Sequence, residues 1–299
     1  ELGITDSIKL ASNENPLGPG PRVREALQGQ FAGLTRYPDG GAYALRTALA
    51  RKHAVDPACI TIGNGSNDVL DMVARVFLYR GRESLFSQFA FAVYPLSSMA
   101  VGATLQVAPA RDYGHDLDAM RDMLTPQTGV VWVANPNNPT GTRLSHDELR
   151  AFVETVPESV IVVIDEAYFE YVRHDDHPDT SQWLADFPNL IVTRTFSKAY
   201  GLAALRVGYS ISHPDIADLL NRVRQPFNVD SLAQVGALAA LEDQAYLDEA
   251  VALNDAGLQQ LREGLDRLGI AYIPSSGNFL TMDLQRDAAA VDQPLLRLG

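Results

Sequence analysis

The stretch Val160-Ile161-Val162-Val163-Ile164-Asp165-Glu166 decides the fold class of this chain. Its apolar residues are continuous and β-branched, which is typical of a strand buried on both faces of a sheet. Similar short runs at 84–86, 104–107, 130–134, 190–193 and 207–211 alternate with helical or loop segments. The pattern predicts an α/β fold with three layers, in which helices wrap both faces of a mostly parallel sheet.

The spacing of apolar residues also predicts the helices and the domain organisation. Helices are predicted at 22–31, 43–53, 68–78, 216–223, 231–241 and 244–268, and short strands at 271–273 and 278–282. We expect residues 1–30 to form an N-terminal arm and part of a small domain, and residues 31–240 to form a large domain around the sheet. Residues 241–299 would be the C-terminal small domain. Since a layer of about two strands is marginal on its own, we expect this domain to be incomplete.

Composition excludes several classes of partner. The net charge of -13 and the pI near 4.8 argue against nucleic acids and anionic membranes, because the field of the whole molecule would repel them. A lone cysteine, Cys59, is compatible with a reducing compartment. The sequence contains no apolar run of membrane-spanning length, and its first residues lack the pattern of a signal peptide. We therefore expect a cytoplasmic protein without a membrane partner.

The most informative polar segment is Thr195-Phe196-Ser197-Lys198-Ala199-Tyr200-Gly201-Leu202, which Arg206 follows. A lysine among hydroxyls, with an arginine after it and Asp165 at the end of a strand before it, suits pyridoxal phosphate. This cofactor needs an amine for imine formation, an anion facing its pyridine nitrogen, and donors for its phosphate. Taken singly, Asp165 could cap a helix and Lys198 could begin one in solvent. Arg206 would be a costly charge beside a strand unless an anion paired with it.

A glycine-rich turn, Gly63-Asn64-Gly65-Ser66-Asn67, follows a short apolar run and precedes a predicted helix. Its backbone amides could hold a phosphate at the helix N-terminus. The alternative is a helix cap served by Ser66 or Asn67. No Gly-Lys-Ser/Thr follows and no third glycine is present, so a nucleotide triphosphatase and a nicotinamide oxidoreductase are both disfavoured.

A loop rich in asparagine and proline follows the apolar run 130–134. The segment Asn135-Pro136-Asn137-Asn138-Pro139-Thr140-Gly141 is either a rigid turn or a loop that holds an asparagine amide against a cofactor oxygen.

The cluster His174-Asp175-Asp176-His177 resembles a set of metal ligands. It lies beside Pro178 in a polar loop and offers no third ligand from a strand or helix, so we predict no metal site.

Together these segments resemble the fold-type I pyridoxal-phosphate aminotransferases, and most closely the histidinol-phosphate aminotransferase family. The resemblance spans residues 9 to about 283. Its carriers are residues 9–19, 36–39, 63–67, 135–141, 165–168, 195–202 and 221–228. The lysine segment and the asparagine-proline loop indicate the superfamily, whereas the arm and residues 221–228 point to the narrower family.

The resemblance implies a role for each residue of the cofactor site. Lys198 would bind the cofactor covalently and act as general base, and Asp165 would keep the pyridine nitrogen protonated. Asn138 and Tyr168 would bond the ring oxygen, and Tyr94 would stack on the ring. The residues expected to hold the phosphate are Ser66, Asn67, Thr195, Ser197 and Arg206, joined by Tyr37 from the neighbouring subunit of a homodimer.

The resemblance also implies the substrates, a small-molecule amino donor and a 2-oxo acid. We expect an amino group to pass from histidinol phosphate to 2-oxoglutarate in histidine biosynthesis. Asn15 and Tyr37 are the expected substrate residues, and the sequence contains no match to the family's C-terminal substrate-binding arginines. An aromatic amino-acid aminotransferase, a phosphoamino-acid decarboxylase, a non-catalytic relative that binds the cofactor and an unrelated phosphate-binding module remain alternatives.

Overall fold

A computed structural model describes residues 8–298 and confirms the α/β fold. The strands are β1 (Ile60–Gly63), β2 (Glu83–Ser87), β3 (Thr104–Ala108), β4 (Ala110–Arg111), β5 (Gly114–His115), β6 (Thr128–Ala134), β7 (Ile161–Asp165), β8 (Leu190–Thr195), β9 (Gly208–Ser212), β10 (Ala271–Ile273) and β11 (Thr281–Asp283). The helices are α1 (Pro21–Gln28), α2 (Tyr43–His53), α3 (Ser66–Phe77), α4 (Val93–Ala100), α5 (Leu117–Asp122), α6 (His146–Thr155), α7 (Pro214–Val223), α8 (Ser231–Leu241), α9 (Gln244–Leu268) and α10 (Ala289–Leu296).

The main sheet has seven strands in the order β1-β9-β8-β7-β6-β2-β3. Within it only β9 runs opposite to the others, since β9 pairs antiparallel with both β1 and β8 and the remaining pairs are parallel. The carboxyl ends of the parallel strands and the beginning of β9 therefore lie at one edge. An open α/β sheet binds its ligands at such an edge.

The sheet is buried on both faces, as its apolar runs predict. In β6, Trp132 packs in the cluster that holds α3 and α7, whereas Val131 and Val133 pack in the cluster that holds α6. A third cluster joins β1 and β9 to α2 and α8. Burial of successive residues on opposite faces explains why these strands contain no polar alternation.

Most predicted elements agree with the structure to within two residues at each end, and two differ by more. The helices predicted at 43–53, 231–241 and 244–268 are confirmed to the residue, and Gly269 at φ 65° ends the last of them. The first helix ends at Gln28 instead of residue 31. The strand expected at 278–282 begins only at Thr281, because Asn278 and Phe279 contact the arm and Tyr168 instead. The pattern left α4, α5 and α6 undecided between helix and loop.

The hairpin of β10 and β11 is a separate two-stranded sheet. Helix α1 packs on α8, and Val23 of α1 shares a core cluster with α2 and α8. The domain boundaries near residues 30 and 240 stay predictions. Over residues 8–298, no helix combines the length and the apolar character needed to cross a membrane.

Candidate active site

The expected cofactor residues other than Tyr37 converge on one open cleft with about 640 Å³ of empty space, at the edge where the parallel strands end. They come from the ends of β7 and β8, from the loops or helices that follow β1, β2, β6, β7 and β8, and from the turn before β9. Those that line the cleft are Ser66, Asn67, Tyr94, Asn138, Asp165, Tyr168, Thr195, Ser197, Lys198 and Arg206. Phe91 lines it as well, although it was not among the residues selected from the sequence.

Asp165 is a buried carboxylate without a guanidinium partner. The Tyr94 hydroxyl donates to its Oδ2 over 2.8 Å, and the Thr193 hydroxyl donates to its Oδ1 over 3.0 Å. Burial raises the pKa of Asp165, while the bonds from Tyr94, Thr193 and the Ala167 amide and the charge of Lys198 oppose the rise. Neutral donors thus hold this carboxylate, and a cation in the cleft would stabilise its charged form.

Lys198 is half-buried, and its Nζ donates to the carbonyl oxygen of Ser12 over 2.9 Å. Burial lowers the pKa of the Lys198 ammonium, the nearby Glu14 charge raises it, and Arg206 lowers it. A lowered pKa increases the fraction of free amine, which is the form that attacks an aldehyde.

The beginning of α3 leaves its first amides free of a side-chain cap. Gly65, at φ 81°, is the N-cap residue, and no side chain bonds the helix N-terminus. The alternative in which Ser66 or Asn67 caps this helix is therefore wrong. Uncapped amides and the helix dipole favour an anion at this position.

Arg206 lies beside these amides in a left-handed conformation at φ 52°. Its Nη1 donates to the Ala203 carbonyl over 3.0 Å and to the Ser197 hydroxyl over 3.5 Å. The side chain is exposed, so its charge does not carry the cost that a buried charge beside the strand would have. The left-handed turn directs the guanidinium into the cleft instead.

Two glycines keep this end of the cleft open. A Cβ on Gly65 would lie 2.5 Å from Arg206 Nη2, and a Cβ on Gly208 would lie 2.3 Å from the Ser66 amide nitrogen. The amides, the hydroxyls of Ser197 and Thr195, and the guanidinium form a donor set suited to a phosphate. With Lys198 and Asp165 at the same cleft, the residues present fit pyridoxal phosphate.

The Tyr168 hydroxyl accepts hydrogen bonds from two amide side chains. Asn138 Nδ2 lies 3.1 Å from it, and Asn13 Nδ2 of the N-terminal arm lies 3.0 Å from it. Burial raises the pKa of Tyr168 to about 12, against the lowering effect of the two amides. The phenol is therefore protonated near neutral pH and can donate to an oxygen in the cleft.

Tyr94 lines the cleft, but its ring is packed inside the protein. Its ring is 1% exposed and stacks on Trp132 with 5.2 Å between centroids, and its hydroxyl is bonded to Asp165. Phe91, directly before α4, is only half-buried at the cleft. Of the two rings, Phe91 is the one with a free surface for stacking, and Tyr94 supports Asp165.

Asn15 does not line the cleft, and its expected role in substrate binding stays a prediction. It is buried, its Nδ2 donates to the Ala199 carbonyl over 2.9 Å and to the Tyr246 hydroxyl over 3.2 Å, and its Oδ1 accepts from the Leu17 amide. These bonds fasten the arm to the lysine segment. The arm residues that do reach the site are Ser12 and Asn13.

Tyr37 lies outside the cleft. It is 81% exposed and stacks on Phe227, with 4.6 Å between the ring centroids and 21° between the ring planes. Over residues 8–298, no group of three or more His, Cys, Asp or Glu is placed so that it could hold a metal ion, and the absence of a metal at residues 174–177 stays a prediction.

The fold and the lining of the cleft are those of a pyridoxal-phosphate-dependent transferase, and comparisons with known proteins narrow the class. The model of aminotransferase class I and II matches residues 5–296. Histidinol-phosphate aminotransferase 2 of Methylococcus capsulatus is 54% identical, with 100% of this chain and 82% of that protein covered. The corresponding protein of Pseudomonas aeruginosa is 56% identical at the same coverage.

A solved structure agrees with these relatives. The histidinol-phosphate aminotransferase of Sinorhizobium meliloti, in complex with pyridoxal-5'-phosphate, superposes with a TM-score of 0.91 at 32% identity and covers 96% of this chain and 78% of its own. The present chain belongs to the class I and II aminotransferases and, within them, to the histidinol-phosphate aminotransferase family.

Proposed function

We propose that this chain transfers the amino group of L-histidinol phosphate to 2-oxoglutarate, yielding imidazole acetol phosphate and L-glutamate in histidine biosynthesis. One observation carries the chemistry: the amine of Lys198 and the carboxylate of Asp165 share a cleft with the uncapped N-terminus of α3. Support for the substrate comes from the relatives of the same family, which match the whole chain at 54% and 56% identity.

When bound, pyridoxal phosphate supplies an aldehyde that accepts amines and a ring that takes up the electron pair released at the substrate carbon. Lys198 would anchor this group through its amine and, as general base, would move a proton at the substrate carbon. The lowered pKa of Lys198 suits both roles. Asp165, whose carboxyl is buried at the cleft, would face the ring nitrogen and keep it protonated.

The remaining residues of the cleft would bind and orient the cofactor. Amides at the start of α3, the hydroxyls of Thr195 and Ser197, and the Arg206 guanidinium hold the phosphate. Asn138 and Tyr168 would donate to the ring oxygen. Phe91 would cover the ring, in place of the Tyr94 expected from the sequence.

We further propose a homodimer in which Tyr37 reaches the phosphate site of the partner, in the cytoplasm. The exposure of Tyr37 and of its stacking partner Phe227 supports this proposal, as does the exposure of the large apolar side chains of Leu10, Phe31 and Tyr43. Two-fold assemblies are the commonest among soluble oligomers.

The test is a single half-reaction. The visible spectrum of the cofactor-loaded protein is recorded before and after addition of histidinol phosphate without any 2-oxo acid, with Lys198→Ala as control. We expect the visible band to disappear as stoichiometric imidazole acetol phosphate forms, and the variant to show neither event. An unresponsive band would refute histidinol phosphate as donor, and release of carbon dioxide would indicate a decarboxylase.

A further inference from the structure

The hydroxyl of Tyr168 has an unusual set of neighbours. Side-chain amide N–H groups of Asn13 and Asn138 both point at its oxygen, over 3.0 and 3.1 Å. An amide nitrogen can only donate, and a phenol oxygen has two acceptor lone pairs and one proton. Because both lone pairs are in use, the Tyr168 proton is left to donate to a third group at the cleft that this residue lines.

The two amides belong to different parts of the fold. Asn138 lies in the loop that follows strand β6 of the main sheet, whereas Asn13 belongs to the N-terminal arm. The arm is held over the cleft at this point, since Lys198 Nζ donates to the Ser12 carbonyl and Asn278 Nδ2 donates to the Asn13 carbonyl over 3.0 Å. Ser12 and Asn13 thus contact both the lysine and the tyrosine of the site.

The backbone at Asn13 is suited to this arrangement. Its φ of 52° is left-handed, a region that asparagine adopts more readily than most residues. The left-handed turn at Ser12 and Asn13 turns the Asn13 side chain inward while Glu14 stays exposed.

We infer that Asn13 is a positioning residue that acts through Tyr168, and that its amide keeps the phenol an obligate donor to the ring oxygen of the cofactor. This inference rests on the proposed function. If Asn138 turns toward the same ring oxygen, Asn13 is the amide that still occupies a lone pair of Tyr168. A phenol that accepts a bond is also a stronger donor, because hydrogen bonds in a chain polarise one another.

A measurable consequence concerns the pH at which the visible band of the cofactor-loaded protein titrates. A strong donor to the ring oxygen of the cofactor stabilises negative charge on that oxygen. It thereby disfavours protonation of the adjacent nitrogen that joins the cofactor to Lys198, so the pH midpoint of the titration stays low. Loss of the Asn13 amide should raise the midpoint by about 0.5–1 pH unit, the size expected for one neutral hydrogen bond.

The test compares Asn13→Gly and Asn13→Asp with the wild type, each alone and in a Tyr168→Phe background. Glycine accepts the left-handed backbone, so Asn13→Gly removes the amide without straining the arm. Aspartate has nearly the same side-chain size but replaces the amide donor with a carboxylate. The carboxylate accepts a hydrogen bond from the Tyr168 hydroxyl, which then no longer donates to the cofactor. We expect the midpoint to rise in Asn13→Gly and further in Asn13→Asp, and Asn13→Gly to add no shift when Tyr168 is phenylalanine.

Asn278→Ala is the matched control, since it removes a contact to the Asn13 backbone and leaves the amide in place. An unchanged midpoint in Asn13→Gly, or the same shift with and without the Tyr168 hydroxyl, would overturn the inference. The titration needs no substrate, so the inference survives if histidinol phosphate fails as donor. If the wild type forms no visible band, the proposed function and this inference both fail.

Discussion

Asp165 and Glu166 are consecutive buried carboxylates at the end of one strand, and they face opposite sides of the sheet. Asp165 pairs with Ala134 and Thr193 and faces the cleft, where it meets hydroxyl and amide donors. Glu166 faces the other side, where Arg194 Nε lies 2.8 Å from its Oε2 and the Thr180 hydroxyl lies 2.6 Å from its Oε1.

The difference separates a structural charge from a functional one. Arg194 is almost fully buried, also contacts Asp179 over 2.7 Å, and stacks over Phe169. Burial lowers the pKa of Arg194, but the charges of Glu166, Tyr209 and Asp179 outweigh that effect and raise it. Burial raises the pKa of both carboxyls, but Glu166 has a guanidinium partner within the chain that opposes the rise, whereas Asp165 has neutral donors and the charge of Lys198 until a cation enters the cleft.

The largest expected effect is that of Asp165→Asn on catalysis. Without the carboxylate the ring nitrogen loses its counterion, and we expect kcat/KM for histidinol phosphate to fall by about 10²–10³-fold or more. Steady-state kinetics measure this loss. A variant within tenfold of the wild type would show that Asp165 does not supply this charge.

Glu166→Gln should act on stability instead. It leaves the Arg194 guanidinium buried with Asp179 as its remaining charge partner, so the free energy of unfolding should fall by about 3 kcal/mol. Urea denaturation of the cofactor-free protein measures the change. The double variant Glu166→Gln/Arg194→Met should recover most of it, and a Glu166→Gln protein as stable as the wild type would contradict the structural role.

Tyr94→Phe, at the cleft, should reduce the free energy of unfolding by less than Glu166→Gln does. It removes a donor from Asp165, raises the pKa of that carboxyl further, and should cost the cofactor-free protein about 1–2 kcal/mol at neutral pH. In an Asp165→Asn background the same substitution should cost clearly less. Equal costs in both backgrounds would show that the hydroxyl does not act on Asp165.

The smallest effect is a pH dependence of stability. Because the folded pKa of Asp165 is raised above its usual 3.8, the stability that this carboxyl contributes is fully present below that value. It is lost as the pH rises through the folded pKa. The unfolding free energy of Asp165→Asn minus that of the wild type should therefore increase with pH over this window, by about 1.4 kcal/mol per unit of pKa shift. A difference that is constant or decreases with pH would contradict the raised pKa.

Much of the site was predictable because it lies at strand ends. Continuous β-branched runs such as 160–164 predict strands buried on both faces, and the carboxyl ends of parallel strands meet at one edge. The residues that follow those ends, among them Asp165, Asn138 and Lys198, lie at the cleft as expected. Arg206 joins them because β9 runs opposite and begins at that edge.

The residues that sequence reasoning missed or misplaced lie where backbone direction was not predictable. Tyr94 and Phe91 take their orientation from the start of α4, a segment that the apolar pattern left undecided. On the arm, left-handed turns at Ser12 and Asn13 change which side chains face the protein. Asn15 was selected through the family resemblance, which says nothing of these turns.

The most direct test of the contrast between the two carboxylates is the unfolding free energy of wild type and Asp165→Asn at neutral pH, each with and without pyridoxal phosphate. The account predicts that the cofactor-free variant is at least as stable as the wild type and gains much less from the cofactor. A cofactor-free Asp165→Asn protein destabilised as strongly as Glu166→Gln, with an unchanged gain from the cofactor, would contradict it.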